Sequence, residues 1–157
     1  MNATALLADT HDIVVDEVFP HAPEFIWKAL TDGELIGRWL MEPTGFAPEV
    51  GRHFTYRTTA AGKWDGTIEC EVLEVQPHER LVYSWKGGDA GNVGYGSLLD
   101  TVVTWVLQPV DGGTRVRLVH AGFVLPRNES TYRKLAEGWN NVVGKMVGVA
   151  VKAAADE

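Results

Sequence analysis

Proton transfer near neutral pH calls for a group that titrates there, and His120 is the residue of this chain best placed for it. It closes the alternating run Val116-Arg117-Leu118-Val119-His120, which turns it inward with Val116 and Leu118. A histidine at the end of an apolar strand reads either as a satisfied core or rim residue or as a ligand hydrogen-bonder and general base. Asp100 and Glu137 are the acids that could partner it, but spacing assigns neither. The other four histidines, His11, His21, His53 and His78, are scattered and lack metal-ligand spacing, so no metal is expected. Nucleophiles are equally sparse. Ser84, Ser97 and Ser130 are the only serines, and none lies in Gly-x-Ser-x-Gly. Cys70 stands between Glu69 and Glu71, whose charges raise a thiol pKa, so it reads as a small core residue. These residues assign no catalytic group and no cofactor.

A second chemical candidate is the glycine-heavy stretch from Lys86 to Ser97, with Gly87, Gly88, Gly91, Gly94 and Gly96. A phosphate loop would end in Gly-Lys-Ser/Thr and open a helix. This stretch opens a strand instead, and a dinucleotide fingerprint fails on the same ground. It reads as a flexible hairpin loop, or as a flap at a cavity mouth with Tyr95 at its tip.

The elements that position these residues follow from composition and period. The chain has 157 residues, 45% hydrophobic and 22% charged, with net charge −7, one cysteine and six tryptophans. That length suits one domain, which buries roughly 68–70% of its unfolded surface without help from metal or disulfide. The acidic balance argues against a sequence-independent nucleic-acid binder. The N-terminus lacks the basic region of a signal peptide, no run approaches a membrane span, and the expected compartment is the cytoplasm. The sequons at Asn2 and Asn128 read as chance without an export signal. Residues 1–12 read as a flexible N-terminal arm and residues 13–157 as a single domain.

Ile13 to Phe19 reads as a strand. Ala22 to Leu30 carries Phe25, Ile26, Ala29 and Leu30 at helical spacing, with Trp27 beside them. Thr31-Asp32-Gly33-Glu34 matches a capping box with Thr31 as the cap, opening a short helix with Leu35, Ile36, Trp39 and Leu40. The period then becomes two: His53–Thr58, Thr67–Val72, Leu81–Trp85, Val102–Gln108 and Thr114–His120 read as antiparallel strands. Beyond Pro126, with Asn128 or Ser130 as cap, Trp139, Val142, Val143, Met146 and Ala150 fall on one helix face. Gly138, Gly144 and Gly148 interrupt that helix, each costing about 1 kcal/mol relative to alanine. Gly144 and Gly148 share a face away from the apolar stripe, where close packing or a softened helix would explain them.

With one dry face, the sheet turns Phe54, Tyr56, Ile68, Cys70 and Val72 inward. Leu81, Tyr83, Trp85, Val103, Trp105 and Leu107 follow from the next strands, and Val116, Leu118 and His120 from the last. Arg57, Glu69, Glu71, Arg115 and Arg117 then face water. The inward aromatics converge on the helical stripe with Trp139 and Met146. Trp64, in a turn between Gly62 and Gly66, is expected to be exposed.

These motifs resemble a known family. Pro23-Glu24-Phe25-Ile26-Trp27 through Arg38-Trp39-Leu40 is similar to the opening helices of the AHSA-like branch of the START-like (SRPBCC) superfamily, relatives of the C-terminal domain of the activator of Hsp-ninety ATPase. Glu74 to Trp85 resembles its middle turn and strand, and Gly112-Gly113-Thr114-Arg115-Val116 its last hairpin. His120-Ala121-Gly122-Phe123 resembles the end of that strand and Gly138-Trp139 the final helix. The likeness runs from about Ile13 to about Val151. It implies an α+β helix-grip fold, a curved seven-stranded antiparallel sheet around a long C-terminal helix with two short helices after the first strand. It also implies an apolar cavity between sheet and helix that takes a hydrophobic small molecule.

The expected ligand-binding residues are Phe54, Tyr56, Tyr83, Trp85 and Trp105 from the sheet, with Leu118 and His120 from its last strand. Trp139, Val143 and Met146 complete the set from the helix. Two other functions stay open. One is a cyclase- or hydrolase-like enzyme using His120 or a cavity tyrosine. The other is a co-chaperone-like interaction module. A homodimer and a chaperone contact are further partner readings.

Overall fold

The computed structural model describes residues 10–155; of the arm expected over residues 1–12, positions 1–9 lie outside the described residues, as does the Asn2 sequon, and positions 10–12 are strand rather than arm. The elements run β1 (Thr10–Phe19), α1 (Pro23–Thr31), α2 (Gly33–Trp39), β2 (His53–Arg57), β3 (Thr67–Gln76), β4 (Arg80–Gly87), β5 (Leu99–Val110), β6 (Gly113–Val124) and α3 (Glu129–Ala155). β1 starts three residues before the apolar run, because Thr10, His11 and Asp12 pair with Val124, Phe123 and Ala121 across a bulge. No helix is long and apolar enough to cross a membrane among the described residues.

The strands form one antiparallel sheet in the order β1-β6-β5-β4-β3-β2. It has six strands among the described residues, so the seventh implied by the resemblance is absent. The residues themselves supply six alternating runs and no more. Elsewhere pairing is confined to single bridges, such as Thr44 with Thr55. Pro43 has no N–H to donate and Gly45 turns the chain at φ +82°, so pairing does not extend there.

α1 begins with Pro23 in its first turn, where a missing N–H costs nothing. It buries Ile26, Trp27, Ala29 and Leu30. The cap of α2 is Asp32, not Thr31. The Asp32 carboxylate accepts from the N–H groups of Glu34 (3.0 Å) and Leu35 (3.4 Å). The Thr31 hydroxyl turns back and donates to the Trp27 carbonyl (2.8 Å), because Thr31 still belongs to α1. Trp39 of α2 donates its indole N–H to the Ala29 carbonyl at 2.9 Å, which locks the two short helices together.

The alternation places the inward set where expected: all fourteen residues from Phe54 to His120 named above are buried. On the other face Arg57, Glu69, Arg115 and Arg117 are exposed and Glu71 is half-buried. β4 departs from this pattern, since Val82 and Ser84 are buried as well. The Ser84 hydroxyl accepts from the Glu71 N–H at 2.9 Å, close to the bulge in β3 between Val72 and Glu74. α3 lays Trp139, Val143, Met146, Val147, Ala150 and Ala153 onto the sheet and onto α1 and α2. Nothing lies within 4 Å of a Cβ built on Gly138, Gly144 or Gly148, so no close packing explains them within the chain.

Candidate functional site

The interior between sheet and helix is organised around His120. It is fully buried, and both ring nitrogens are engaged. Trp139 on α3 donates its indole N–H to Nδ1 at 3.0 Å. Nε2 lies 2.7 Å from the Thr101 hydroxyl, which itself donates to the Trp85 carbonyl at 2.7 Å. The Thr101 proton is thereby committed, so Nε2 carries the ring hydrogen and donates to Thr101. One chain of hydrogen bonds thus joins β4, β5, β6 and α3. Burial without a counter-charge pushes the His120 pKa down to about 3, so the imidazole is neutral at neutral pH. Its lone pair is occupied by Trp139, and Asp100 and Glu137 are exposed and do not touch it. A general base needs a free lone pair and a pKa near the working pH, and His120 has neither.

The inward aromatics expected to line a pocket pack against one another. Trp105 meets Trp39 and Trp139 edge-on at ring separations of 5.7 and 5.9 Å, and Trp85 meets Trp139 at 5.8 Å. Phe54 and Tyr56 extend the packing to Trp85, with Tyr83 against Phe54 at 5.5 Å. Such offset contacts use the ring quadrupoles and leave little room between rings. The Tyr83 hydroxyl accepts from the Trp105 indole at 3.2 Å. Burial raises the pKa of the Tyr83 and Tyr56 phenols and the Cys70 thiol above their ordinary values, so each stays neutral. Leu118, Val143 and Met146 are wholly buried in the same core.

A cleft of about 560 Å³ opens beyond this core, at the end of the grip. Of the ten residues expected to bind a ligand, it is lined by Trp85 alone. Its apolar walls are Trp85, Ile68 and Leu99 from the sheet, Leu135 from α3, Met41 after α2, and Trp64. Thr58, Thr59 and Ala60 after β2 form one rim, Gly87, Gly88, Tyr95, Gly96 and Ser97 another, and Thr131 and Lys134 of α3 a third. Trp64 is therefore not a free surface indole. It is half-buried, donates to the Thr67 carbonyl at 2.8 Å, and meets Tyr95 edge-on at 5.9 Å.

The glycine stretch is held at many points rather than left as a loose hairpin. Asn92 donates to the carbonyls of Ala61 (2.8 Å) and Gly96 (3.1 Å) and accepts from the Lys63 N–H (3.2 Å). Tyr95 donates its hydroxyl to the Thr59 carbonyl at 2.8 Å. Gly88 has φ +76°, and a Cβ there would collide with the Ser97 carbonyl, so only glycine fits this crossing. Asn128 anchors the far end. It is 1% exposed, accepts from the Val124 N–H (2.9 Å), and donates to the Ser97 hydroxyl (3.0 Å) and the Leu98 carbonyl (2.9 Å). Its side chain therefore ties loop to strand instead of capping α3, and a buried, bonded amide is closed to glycosylation.

Two simple extensions of the sequence pattern point to the cleft. Thr58 continues the inward series Phe54, Tyr56 by one more period of two. Leu135 and Thr131 continue the helical stripe from Trp139 backward in steps of four, and Lys134 lies three after Thr131. Trp64 had only its glycine neighbours to mark it.

The sequence matches, over residues 20–150, the family described as Activator of Hsp90 ATPase homolog 1-like protein. Among solved structures, the protein MLL2253 from Mesorhizobium loti is 32% identical, with 90% of this chain and 98% of that chain covered and a TM-score of 0.76. The protein BH1534 from Bacillus halodurans is 21% identical over 89% of this chain and 96% of that chain, with a TM-score of 0.69. CalU16 from Micromonospora echinospora is 22% identical over 90% of this chain and 76% of that chain, with a TM-score of 0.67. The last two likenesses are of fold. Comparison with curated proteins finds no match.

Proposed function

Given that the chain belongs to the Activator of Hsp90 ATPase homolog 1-like family, with its START-like fold, we propose that it binds an apolar small molecule in the cleft at the open end of the grip. The observation that carries this reading is the cleft's composition. Aromatic and aliphatic side chains make its walls, and its polar groups are few and grouped at the rims. Its volume of about 560 Å³ falls within the roughly 300–1,000 Å³ typical of small-molecule sites. Trp85 carries the expected ligand contact, while Phe54, Tyr56, Tyr83, Trp105, Leu118, His120, Trp139, Val143 and Met146 form the rigid floor beneath it. The His120 hydrogen-bond chain holds that floor in one arrangement, which reduces the ordering cost of binding.

The test uses a neutral fluorescent probe, Nile red. It is expected to bind the native protein saturably at one site and to quench tryptophan emission. Ala60→Trp places an indole in the cleft from an exposed rim position and should abolish that binding while leaving urea stability intact. Absence of saturable binding, or binding indifferent to Ala60→Trp, overturns the reading.

A further inference from the structure

The charge at the cleft mouth is the reverse of the charge of the chain. The protein carries 21 acidic and 14 basic residues. Yet no carboxylate lines the cleft among the described residues, and its one charged lining group is Lys134. Asp65, Glu69 and Asp100 line a separate depression that shares Trp64, Gly87, Gly88 and Leu99 with the cleft. Lys86 lies 3.8 Å from Asp100 there.

Lys134 also differs from its neighbour on α3. Arg133 is paired with Glu129 at 2.7 Å, as residues four apart on a helix can be. Lys134 has no carboxylate within ion-pair reach among the described residues. Its ammonium stands over the Tyr95 ring, 5.2 Å from the centroid. A cation held over an aromatic face at a cleft mouth retains much of its hydrogen-bonding capacity. The hydroxyls of Thr58, Thr59 and Thr131 line the same rims and make no side-chain hydrogen bond among the described residues. The arrangement is an apolar cleft with neutral hydroxyls at its edge and one lining cation, stacked on Tyr95 and without a carboxylate partner among the described residues. It is complementary to an amphiphile whose body is apolar and whose end is anionic.

Resting on the cleft as the binding site, we propose that its natural ligand is an apolar monocarboxylate. The body lies between Trp64, Trp85 and Leu135, and the carboxylate pairs with Lys134 at the mouth, within reach of Thr131. The Tyr95 ring then flanks the ion pair and shields it from solvent on one side. Because the pair is at a rim, its strength falls with salt, unlike the apolar part of the affinity.

A matched pair of probes separates the charge from the body: 1-pyrenebutyrate and the neutral 1-pyrenebutyramide, titrated at pH 7.5 in low and high salt. The carboxylate is expected to bind about five- to tenfold more tightly than the amide, with the advantage shrinking in high salt. Lys134→Gln should remove the advantage, weakening the carboxylate more than the amide, and Lys134→Arg should restore most of it. Equal affinity of the two probes for the native protein overturns the charge assignment while leaving the binding site standing. A carboxylate preference that survives in Lys134→Gln overturns the role of Lys134. Binding of neither probe overturns this proposal together with the binding function itself.

Discussion

The indole nitrogen of Trp139 lies 3.0 Å from Nδ1 of His120. This bond joins the long helix to β6 with a direction as well as an area. Apolar packing alone tolerates sliding and rotation of a helix on a sheet. A single N–H aimed at a single lone pair does not. Because Thr101 and the Trp85 carbonyl fix the other side of the ring, a shift of α3 would strand two buried polar groups at once, the Trp139 N–H and the Nδ1 lone pair.

His120→Phe keeps a ring of similar size but leaves the Trp139 N–H buried without an acceptor. Urea denaturation is expected to show a loss of about 2–4 kcal/mol. A loss below about 1 kcal/mol would mean that the network contributes little beyond packing.

The same histidine sets a pH dependence of stability. Its pKa falls from 6.5 in the unfolded chain to about 3 in the folded one, so between these values the unfolded state binds the extra proton. The contribution is therefore complete above pH 6.5 and is lost as pH falls toward 3, with a slope of up to about 1.4 kcal/mol per pH unit. Urea midpoints measured from pH 4 to 7 should fall more steeply for the native protein than for His120→Phe. Parallel curves would contradict the assignment.

Asn128→Ala removes three side-chain hydrogen bonds from a buried position and frees the start of the strand that follows the glycine loop. The expected cost is about 2–4 kcal/mol. Amide exchange should quicken over residues 88–98 more than in the sheet. Uniform acceleration would instead point to general destabilisation.

Tyr95→Phe deletes the bond to the Thr59 carbonyl while keeping the ring beneath Lys134. Stability should change by less than about 1 kcal/mol, since the bond is solvent-exposed. Stopped-flow fluorescence is expected to show faster Nile red association and dissociation, because two rims of the cleft are no longer tied. Unchanged rates would show that this bond does not control entry.

The parts of this structure that repeat were legible in the sequence. Period-two alternation identified the inward face of each strand, and the spacing of Trp139, Val143, Met146 and Ala150 identified the buried face of α3, because each follows from backbone geometry alone. The cap of α2 went to Asp32 rather than Thr31 because a helix that ends one residue later claims the threonine, which a pattern match does not see. The position of the cleft was less legible for a physical reason. Large inward aromatics announce that space will be occupied, but whether rings fill that space or rim it depends on their rotamers and on the crossing of α3. Trp85 was found because it lies at the border between core and cleft. Lys134 and Tyr95 meet across 39 residues of chain, and nothing local to either marks the other.

The glycines of α3 bear on heat tolerance. Gly138, Gly144 and Gly148 stand in helical backbone with open space where a Cβ would go. Alanine there would meet no obstacle and would restrict the unfolded chain, a gain of about 1 kcal/mol each. For a domain of this size each such gain raises the melting temperature by about 2–4 °C. The protein thus runs cooler than its own architecture permits, and the margin is set by three missing methyl groups at positions that have room for them.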